Sequence, residues 1–154
     1  MSTDPGLKGD PELLQLVDTR LRRVTTAIDG LDQRAARLLG VNRTDLRLLD
    51  LLAGRGPLTM TELGRAQGLS SGGVTVAVDR LTRSGYVRRR PHPKDRRSHV
   101  VELTPELLAR AEPVFGLLQR RVRELLLAYS PEQLGELASF LSAWEEAILE
   151  SGTA

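Results

Sequence analysis

The sequence predicts a mainly α-helical fold that carries one small β-hairpin. Apolar residues recur at spacings of three and four over most of the 154 residues, which is the period of an amphipathic helix. One stretch between residues 86 and 103 alternates apolar and polar residues instead, as two short strands do. Directly before it, two short helical patterns are joined by a turn containing glycine, which is typical of a helix-turn-helix.

The first predicted helix begins at Asp10-Pro11, because aspartate caps a helix N-terminus and proline suits the first turn. Its apolar residues follow an a/d heptad pattern for about three heptads. Such a seam can line an intramolecular core or face another subunit, and the pattern leaves both open. Gly30 lowers helix propensity and marks a point where the helix could break. The seam consists of Leu14, Val17, Leu21, Val24, Ile28, Leu31, Ala35 and Leu38.

The second and third helices are marked by their N-terminal caps. Asn42 caps the second helix, and Thr59 with Glu62 three residues later is a capping box for the third. Gly68 ends the third helix and opens the turn of the helix-turn-helix. The residues expected to face inward are Leu46, Leu49, Leu52, Leu63 and Ala66.

A fourth helix is predicted over residues 70–84, with Ser70 as its cap. Its outward side chains are small or hydrogen-bonding, which suits a helix whose first turns contact base edges in a major groove. Gly72 and Gly73 either let the helix N-terminus approach a phosphate closely or merely weaken the first turn. The expected buried face comprises Val74, Ala77, Val78 and Leu81, and the outward face comprises Ser71, Gly72, Thr75, Val76 and Asp79.

The predicted hairpin holds a concentrated positive charge. Its strands, residues 86–90 and 99–103, flank a tip rich in proline and arginine. Between residues 83 and 97 there are seven Lys or Arg against one acid, in a chain whose net charge is only +2. A basic projection on a nearly neutral body suggests a polyanionic partner such as nucleic acid, and the alternative is a solvated charged loop.

Arginine at the hairpin tip suits the narrow, electronegative minor groove of A·T-rich DNA. Asp95 could orient the Arg97 guanidinium through a forked pair, or it could only shape the turn and leave Arg97 as a surface charge. Tyr86 is expected to pack at the base of the hairpin, and His92 is expected to be simply exposed. The candidate DNA contacts are Ser70, Ser71, Gly72, Thr75 and Val76 on the helix, and Arg88, Arg90, Lys94, Asp95, Arg96 and Arg97 on the hairpin.

The C-terminal third is helical and acidic. A helix restarts at Thr104-Pro105 and should be kinked by Pro113, because proline removes a backbone donor and clashes with the preceding turn. Ser130-Pro131 starts the last helix. Residues 102–154 carry nine Glu against four Arg, so this part is unsuited to lie on DNA and suits packing against another protein surface.

Several classes of function are disfavoured. The chain has no cysteine, which excludes disulfides, thiolate metal sites and thiol-based redox sensing. No nucleophile–base pair, phosphate-cradling glycine loop or metal-ligand spacing is found, so the protein is expected not to be an enzyme and to need no cofactor. No apolar run is long enough to cross a bilayer, and the N-terminus lacks an apolar signal core, so the expected location is the cytoplasm.

Residues 68–104, with the motif Asp95-Arg96-Arg97 and with Leu103-Thr104 closing the second strand, resemble the MarR family of winged-helix transcriptional regulators. The order of helices is similar to that family over about residues 10–150. The resemblance implies that residues 70–84 contact the major groove and that Arg97 enters the minor groove, oriented by Asp95. It also implies a homodimer, formed by the first and last helices, on a palindromic operator.

The resulting prediction is a sequence-specific regulator of transcription, a repressor that binds double-stranded DNA and responds to a small aromatic or lipophilic effector. The alternative is a winged-helix module whose basic wing binds an acidic protein. Val76 stands where some family members carry arginine, and valine can contact a thymine methyl but cannot fork onto guanine. The predicted divisions are a flexible N-terminus (1–9), an N-terminal dimerisation helix (10–40), a winged helix-turn-helix (41–104), C-terminal dimerisation helices (105–150) and a flexible tail (151–154).

Overall fold

A computed structural model describes residues 10–95 and 97–151 and has the predicted mainly helical architecture. The predicted flexible N-terminus, the end of the tail (152–154) and the candidate contact Arg96 lie outside the described residues. Ser151, which the sequence places in the flexible tail, is the last residue of the final helix. The elements are α1 (Pro11–Leu39), α2 (Arg43–Arg55), β1 (Leu58–Thr59), α3 (Met60–Gln67), α4 (Ser71–Arg83), β2 (Val87–Pro91), β3 (His99–Leu103), α5 (Pro105–Leu126) and α6 (Pro131–Ser151).

α1 begins at the predicted cap, where the Asp10 carboxylate accepts a hydrogen bond from the Glu12 N–H at 2.9 Å. The helix runs through Gly30 without interruption, so the break considered there does not occur. One interior glycine costs only about 1 kcal/mol relative to alanine, which a helix of 29 residues tolerates. The helix ends at Gly40, whose φ of 66° lies in the left-handed region that glycine favours.

The predicted seam of α1 is exposed over much of its length in the single chain. Ala35, near the C-terminal end of the helix, is buried. Val24 and Ile28, by contrast, have 50% and 49% of their surface exposed. Apolar side chains in a continuous stripe at heptad spacing gain from being covered, because burial of apolar surface is favourable. The other exposed seam residues are Leu14, Val17 and Leu38.

The hairpin belongs to a three-stranded antiparallel sheet in the order β1-β3-β2. β2 and β3 are the two predicted strands, and Arg88 lies directly opposite Glu102 in their register. β1 was not predicted, because two residues are too few to show an alternating pattern. It adds Leu58 opposite Val101 and ties the start of α3 to the wing.

Tyr86 packs at the base of the wing, as predicted. It is 2% exposed, and its hydroxyl donates to the Leu39 carbonyl oxygen at 2.8 Å. The bond joins residues 47 positions apart, so it ties the start of β2 to the end of α1. A buried tyrosine hydroxyl needs such a partner, because an unsatisfied buried polar group is costly.

The prediction that Ala66 faces inward is wrong, since Ala66 is exposed. Gly64 is buried in its place. A Cβ at Gly64 would lie 3.1 Å from Val74 Cγ2 and 3.2 Å from the Leu69 carbonyl oxygen. The close approach of α3 to the start of α4 and the turn before it therefore favours glycine at position 64.

The chain divides into two compact units, one up to Val114 and the other from Phe115. α5 continues through Pro113 as one helix, and the kink there stays a prediction. In the second unit α6 follows its predicted cap, with the Ser130 hydroxyl accepting from the Gln133 N–H at 3.3 Å. None of the described residues of α6 is buried. Over the described parts of the chain, no helix combines the length and apolar character required to cross a membrane.

Candidate nucleic-acid interface

α4 presents the outward face that the sequence predicts. Val74, Ala77, Val78 and Leu81 are buried, as expected. The opposite side remains open, and Val76 has 59% of its surface exposed. The cap also forms as expected, with the Ser70 hydroxyl accepting from the Gly73 N–H at 3.2 Å. The other exposed candidates on this helix are Ser71, Gly72 and Thr75.

The Thr75 hydroxyl already has one partner, because it donates to the Ser71 carbonyl oxygen at 2.9 Å. Its lone pairs remain available to accept a hydrogen bond from a base. Val76 offers only apolar contact, of the kind that fits a thymine methyl group. The exposed face of the first turns of α4 therefore carries small, hydroxyl and apolar side chains and no arginine or lysine.

α4 is linked to α2 by an ion pair between a buried aspartate and an arginine whose side chain is 40% exposed, and the sequence pattern does not predict this pair. The Asp45 side chain is 1% exposed and accepts from both Nε and Nη2 of Arg80, at 2.6 Å each. These hydrogen bonds raise the pKa of the Arg80 guanidinium, so the arginine stays charged. The forked geometry fixes the orientation of α4 as well as its position.

On the wing, one carboxylate holds two of the candidate arginines. Glu102 on β3 accepts from Arg88 Nε at 2.8 Å and from Arg90 Nε through its other oxygen. The Glu102 side chain is 15% exposed, whereas those of Arg88 and Arg90 are 63% and 41% exposed. The hydrogen bonds from Arg90 and then Arg88 lower the pKa of Glu102, so it stays ionised.

The third arginine of β2 joins the wing to the helix. Arg89 Nη2 donates to Asp79 on α4 at 2.7 Å, and both side chains are partly exposed. Asp79 was expected on the outward face of α4, but its pairing with the wing was not predicted. The two elements that would contact DNA are thus linked directly to each other.

The wing tip is organised by hydrogen bonds to backbone N–H groups. His92 was expected to be simply exposed; instead its Nδ1 accepts from the N–H groups of Lys94 and Asp95, at 3.1 Å each. The Asp95 carboxylate accepts from the Arg97 backbone N–H at 3.0 Å, whereas a fork to the guanidinium was one of the two predicted roles. The structure therefore supports the other role, in which Asp95 shapes the turn.

Lys94 and Arg97 are exposed at this tip. Within the described residues, neither side chain has a carboxylate partner. They differ in this from Arg88, Arg89 and Arg90, which are all paired. Within the described residues, the Lys94 and Arg97 side chains at the tip are therefore not held in ion pairs, in contrast to the arginines of β2.

The missed residues differ in how far the sequence could have revealed them. Glu102 lies directly opposite Arg88 in the strand register, so strand pairing could have indicated it. Asp45 and Arg80 are 35 residues apart and carry no local signal. Among residues 10–95 and 97–151, no group of three or more His, Cys, Asp or Glu is arranged to hold a metal ion.

The chain matches a known family model and several known proteins. The MarR family model matches residues 39–98, from the end of α1 to the wing. The chain is similar to the uncharacterized HTH-type transcriptional regulator YcgE of Bacillus subtilis (strain 168), with 38% identity over 120 residues, or 78% of each chain. It is also similar to the HTH-type transcriptional repressor YetL of the same organism, with 31% identity over 96 residues, or 58% of each chain.

The fold is similar to that of a solved structure with low sequence identity. The transcriptional regulator Tm0710 from Thermotoga maritima superposes with a TM-score of 0.61 and 21% identity, over 91% of this chain and 99% of that chain. This likeness concerns the arrangement of helices and wing alone.

Proposed function

This chain belongs to the MarR family of winged-helix, DNA-binding transcriptional regulators, and from that premise we propose that it acts as a homodimeric repressor on a palindromic operator. The observation that carries the proposal is the pairing of Asp79 with Arg89, which joins an exposed helix face to a cationic wing. A helix and a wing linked in this way can contact adjacent grooves of one duplex. The name of the relative YetL favours repression over activation.

In the proposed complex, α4 and the wing contact different grooves of the duplex. The first turns of α4 lie in the major groove and supply phosphate and base contacts. The wing follows the adjacent minor groove, where Arg97 at the tip meets the strongest negative potential. The proposed contacts remain Ser70, Ser71, Gly72, Thr75 and Val76 on α4 and its cap, and Arg88, Arg90, Lys94, Arg96 and Arg97 on the wing, with Asp95 shaping the tip.

The proposal of a homodimer is supported by the uncovered apolar residues at both ends of the chain. Val24 and Ile28 of α1 are about half exposed, and Phe140 and Leu141 of α6 are 44% and 46% exposed. Two-fold symmetry would place the two α4 helices about one helical turn of DNA apart, roughly 34–36 Å.

The decisive experiment is selection of bound sequences from random duplex DNA. We expect an inverted repeat whose half-sites are about one turn apart. Binding should weaken by roughly 10³–10⁵ between 50 and 200 mM salt if the dimer makes about six to ten phosphate contacts. Salt-sensitive binding without any sequence preference would favour the alternative, in which the basic wing binds an acidic protein.

The dimer is tested by placing charges on the α1 seam. Leu21→Asp combined with Val24→Asp is expected to yield monomers, because two buried carboxylates per chain would face an apolar interface. Sedimentation velocity measures the change. Thr19→Asp with Thr26→Asp adds the same charge to exposed positions of α1 off the seam, and this control should remain dimeric. Dimers of undiminished affinity in the seam variant would contradict the proposal.

We further propose a small aromatic or lipophilic effector. A groove of about 520 Å³ in the C-terminal unit is lined largely by apolar side chains of α5 and α6, and its volume is in the range of ligand sites. The proposed location is the cytoplasm, and the proposal includes no catalytic step.

A further inference from the structure

Glu102 is placed to act on the DNA contacts of the wing without touching DNA itself. It lies on β3, the central strand of the sheet, and its side chain is 15% exposed. Its two oxygens are divided between two arginines: one accepts from Arg88 and the other from Arg90. The strand register explains this, because Arg88 is directly opposite Glu102 and Arg90 is two residues further along the same face.

The nitrogen that each arginine uses in these bonds determines which of its donors stay free. Both arginines bind Glu102 through Nε. A guanidinium has five N–H donors, and four of them are on the two terminal nitrogens. Those terminal groups stay available, since the Arg88 and Arg90 side chains are 63% and 41% exposed. Each arginine is therefore fixed through its Nε, and its two terminal NH2 groups remain able to bind a phosphate.

From this arrangement we infer that Glu102 is a positioning residue, which holds Arg88 and Arg90 as a pair of pre-ordered phosphate contacts on the wing. The inference rests on the proposed function. A free arginine loses side-chain entropy when it binds a phosphate, and an arginine already fixed by its Nε loses less. Glu102 thus strengthens binding although its own charge repels DNA, because it acts through the two arginines.

The negative charge of Glu102 and its positioning role have opposite effects on DNA binding, so a substitution that removes the charge distinguishes them. Glu102→Gln adds one positive charge per chain, and electrostatics alone would then tighten DNA binding. If pre-ordering dominates, the variant should bind its selected operator roughly tenfold more weakly, the scale expected for reordering two long side chains. The slope of log affinity against log salt should also become shallower, by about 0.9 for each phosphate that the wing no longer neutralises.

Asp29→Asn is the matched control. It removes a carboxylate that pairs with an exposed arginine, Arg43, at 2.9 Å, and so makes the same charge change outside the wing. Its affinity should stay within about twofold of the wild type, because exposed pairs contribute little. Thermal unfolding of both variants should match the wild type, which separates weaker DNA binding from loss of the fold.

A second pair of substitutions tests the mechanism independently of Glu102. Arg88→Lys with Arg90→Lys keeps the charge but removes the guanidinium that can bind Glu102 and phosphate together. We expect a similar loss of affinity, and little further loss when Glu102→Gln is added, because residues that act as a unit are not additive. These lysine variants also serve if Glu102→Gln fails to fold.

Each result has a clear consequence. Glu102→Gln binding as tightly as the wild type, or more tightly, with an unchanged salt slope would overturn the inference. Full affinity of the lysine variants, or strictly additive losses, would overturn it too. Failure of the wild type to bind any duplex would instead overturn the proposed function, and the inference with it.

Discussion

Replacing Arg97 with alanine is expected to weaken operator binding by about 100-fold, since each dimer would lose two interactions worth about 1–2 kcal/mol each. Arg97 lies at the exposed wing tip, where the turn is fixed by its backbone N–H bonding to Asp95 at 3.0 Å. Within the described residues its guanidinium has no carboxylate partner, so no internal pair needs to break before it enters the minor groove. Fluorescence anisotropy with the selected operator would measure the loss.

The matched control is Arg55→Ala, which removes an exposed arginine from the last turn of α2. Its affinity should remain within a few-fold of the wild type. Urea unfolding should show that Arg97→Ala is as stable as the wild type, because Arg97 is on the surface. If Arg97→Ala bound the operator normally, the assignment of the wing tip to the minor groove would be wrong.

Arg80→Leu is expected to lower the free energy of unfolding by about 2–3 kcal/mol, because it leaves the buried Asp45 carboxylate without its partner although the Arg80 side chain itself is 40% exposed. The Asp45 side chain is 1% exposed and receives both of its 2.6 Å hydrogen bonds from Arg80. Without the arginine, a buried carboxylate would be left with no positive partner in α4. Urea denaturation at neutral pH would measure this change.

Two further variants show whether the unpaired Asp45 carboxylate causes the loss of stability in Arg80→Leu. Asp45→Leu combined with Arg80→Leu should recover much of the lost stability, because replacing both members with apolar residues removes the buried charge. Arg43→Leu breaks the exposed pair with Asp29 and should cost less than about 1 kcal/mol. A loss below about 1 kcal/mol for Arg80→Leu would mean that solvent reaches Asp45 readily and that the pair does not hold α4.

The proposed interface contains residues that contact DNA and residues that support those contacts from within the fold. Arg97 at the wing tip acts directly on DNA, and its loss leaves the fold intact. Arg80 acts from the back of α4, where its pairing with Asp45 sets how the helix is presented. Glu102 shares features of both, since it belongs to the sheet and does not contact DNA itself, yet it acts through the exposed Arg88 and Arg90.

Features that depend on neighbouring residues were predictable from the sequence. The caps at Asp10, Asn42, Thr59 and Ser70 all form, because each cap bonds to an N–H two or three residues ahead. The buried face of α4 follows from its helical period, and the hairpin follows from alternation. The cationic wing and the resemblance it supports are also local features of the chain.

Tertiary structure alone decided which of these features meet. The pairs Asp45–Arg80 and Arg89–Asp79 depend on helix packing and on the direction of the wing. The burial of Gly64 in place of Ala66 depends on how closely α3 approaches α4. The physical reason is the same in each case. Capping and periodicity are energies of adjacent residues, whereas ion pairs and close contacts between elements exist only once distant parts of the chain have been brought within a few ångströms.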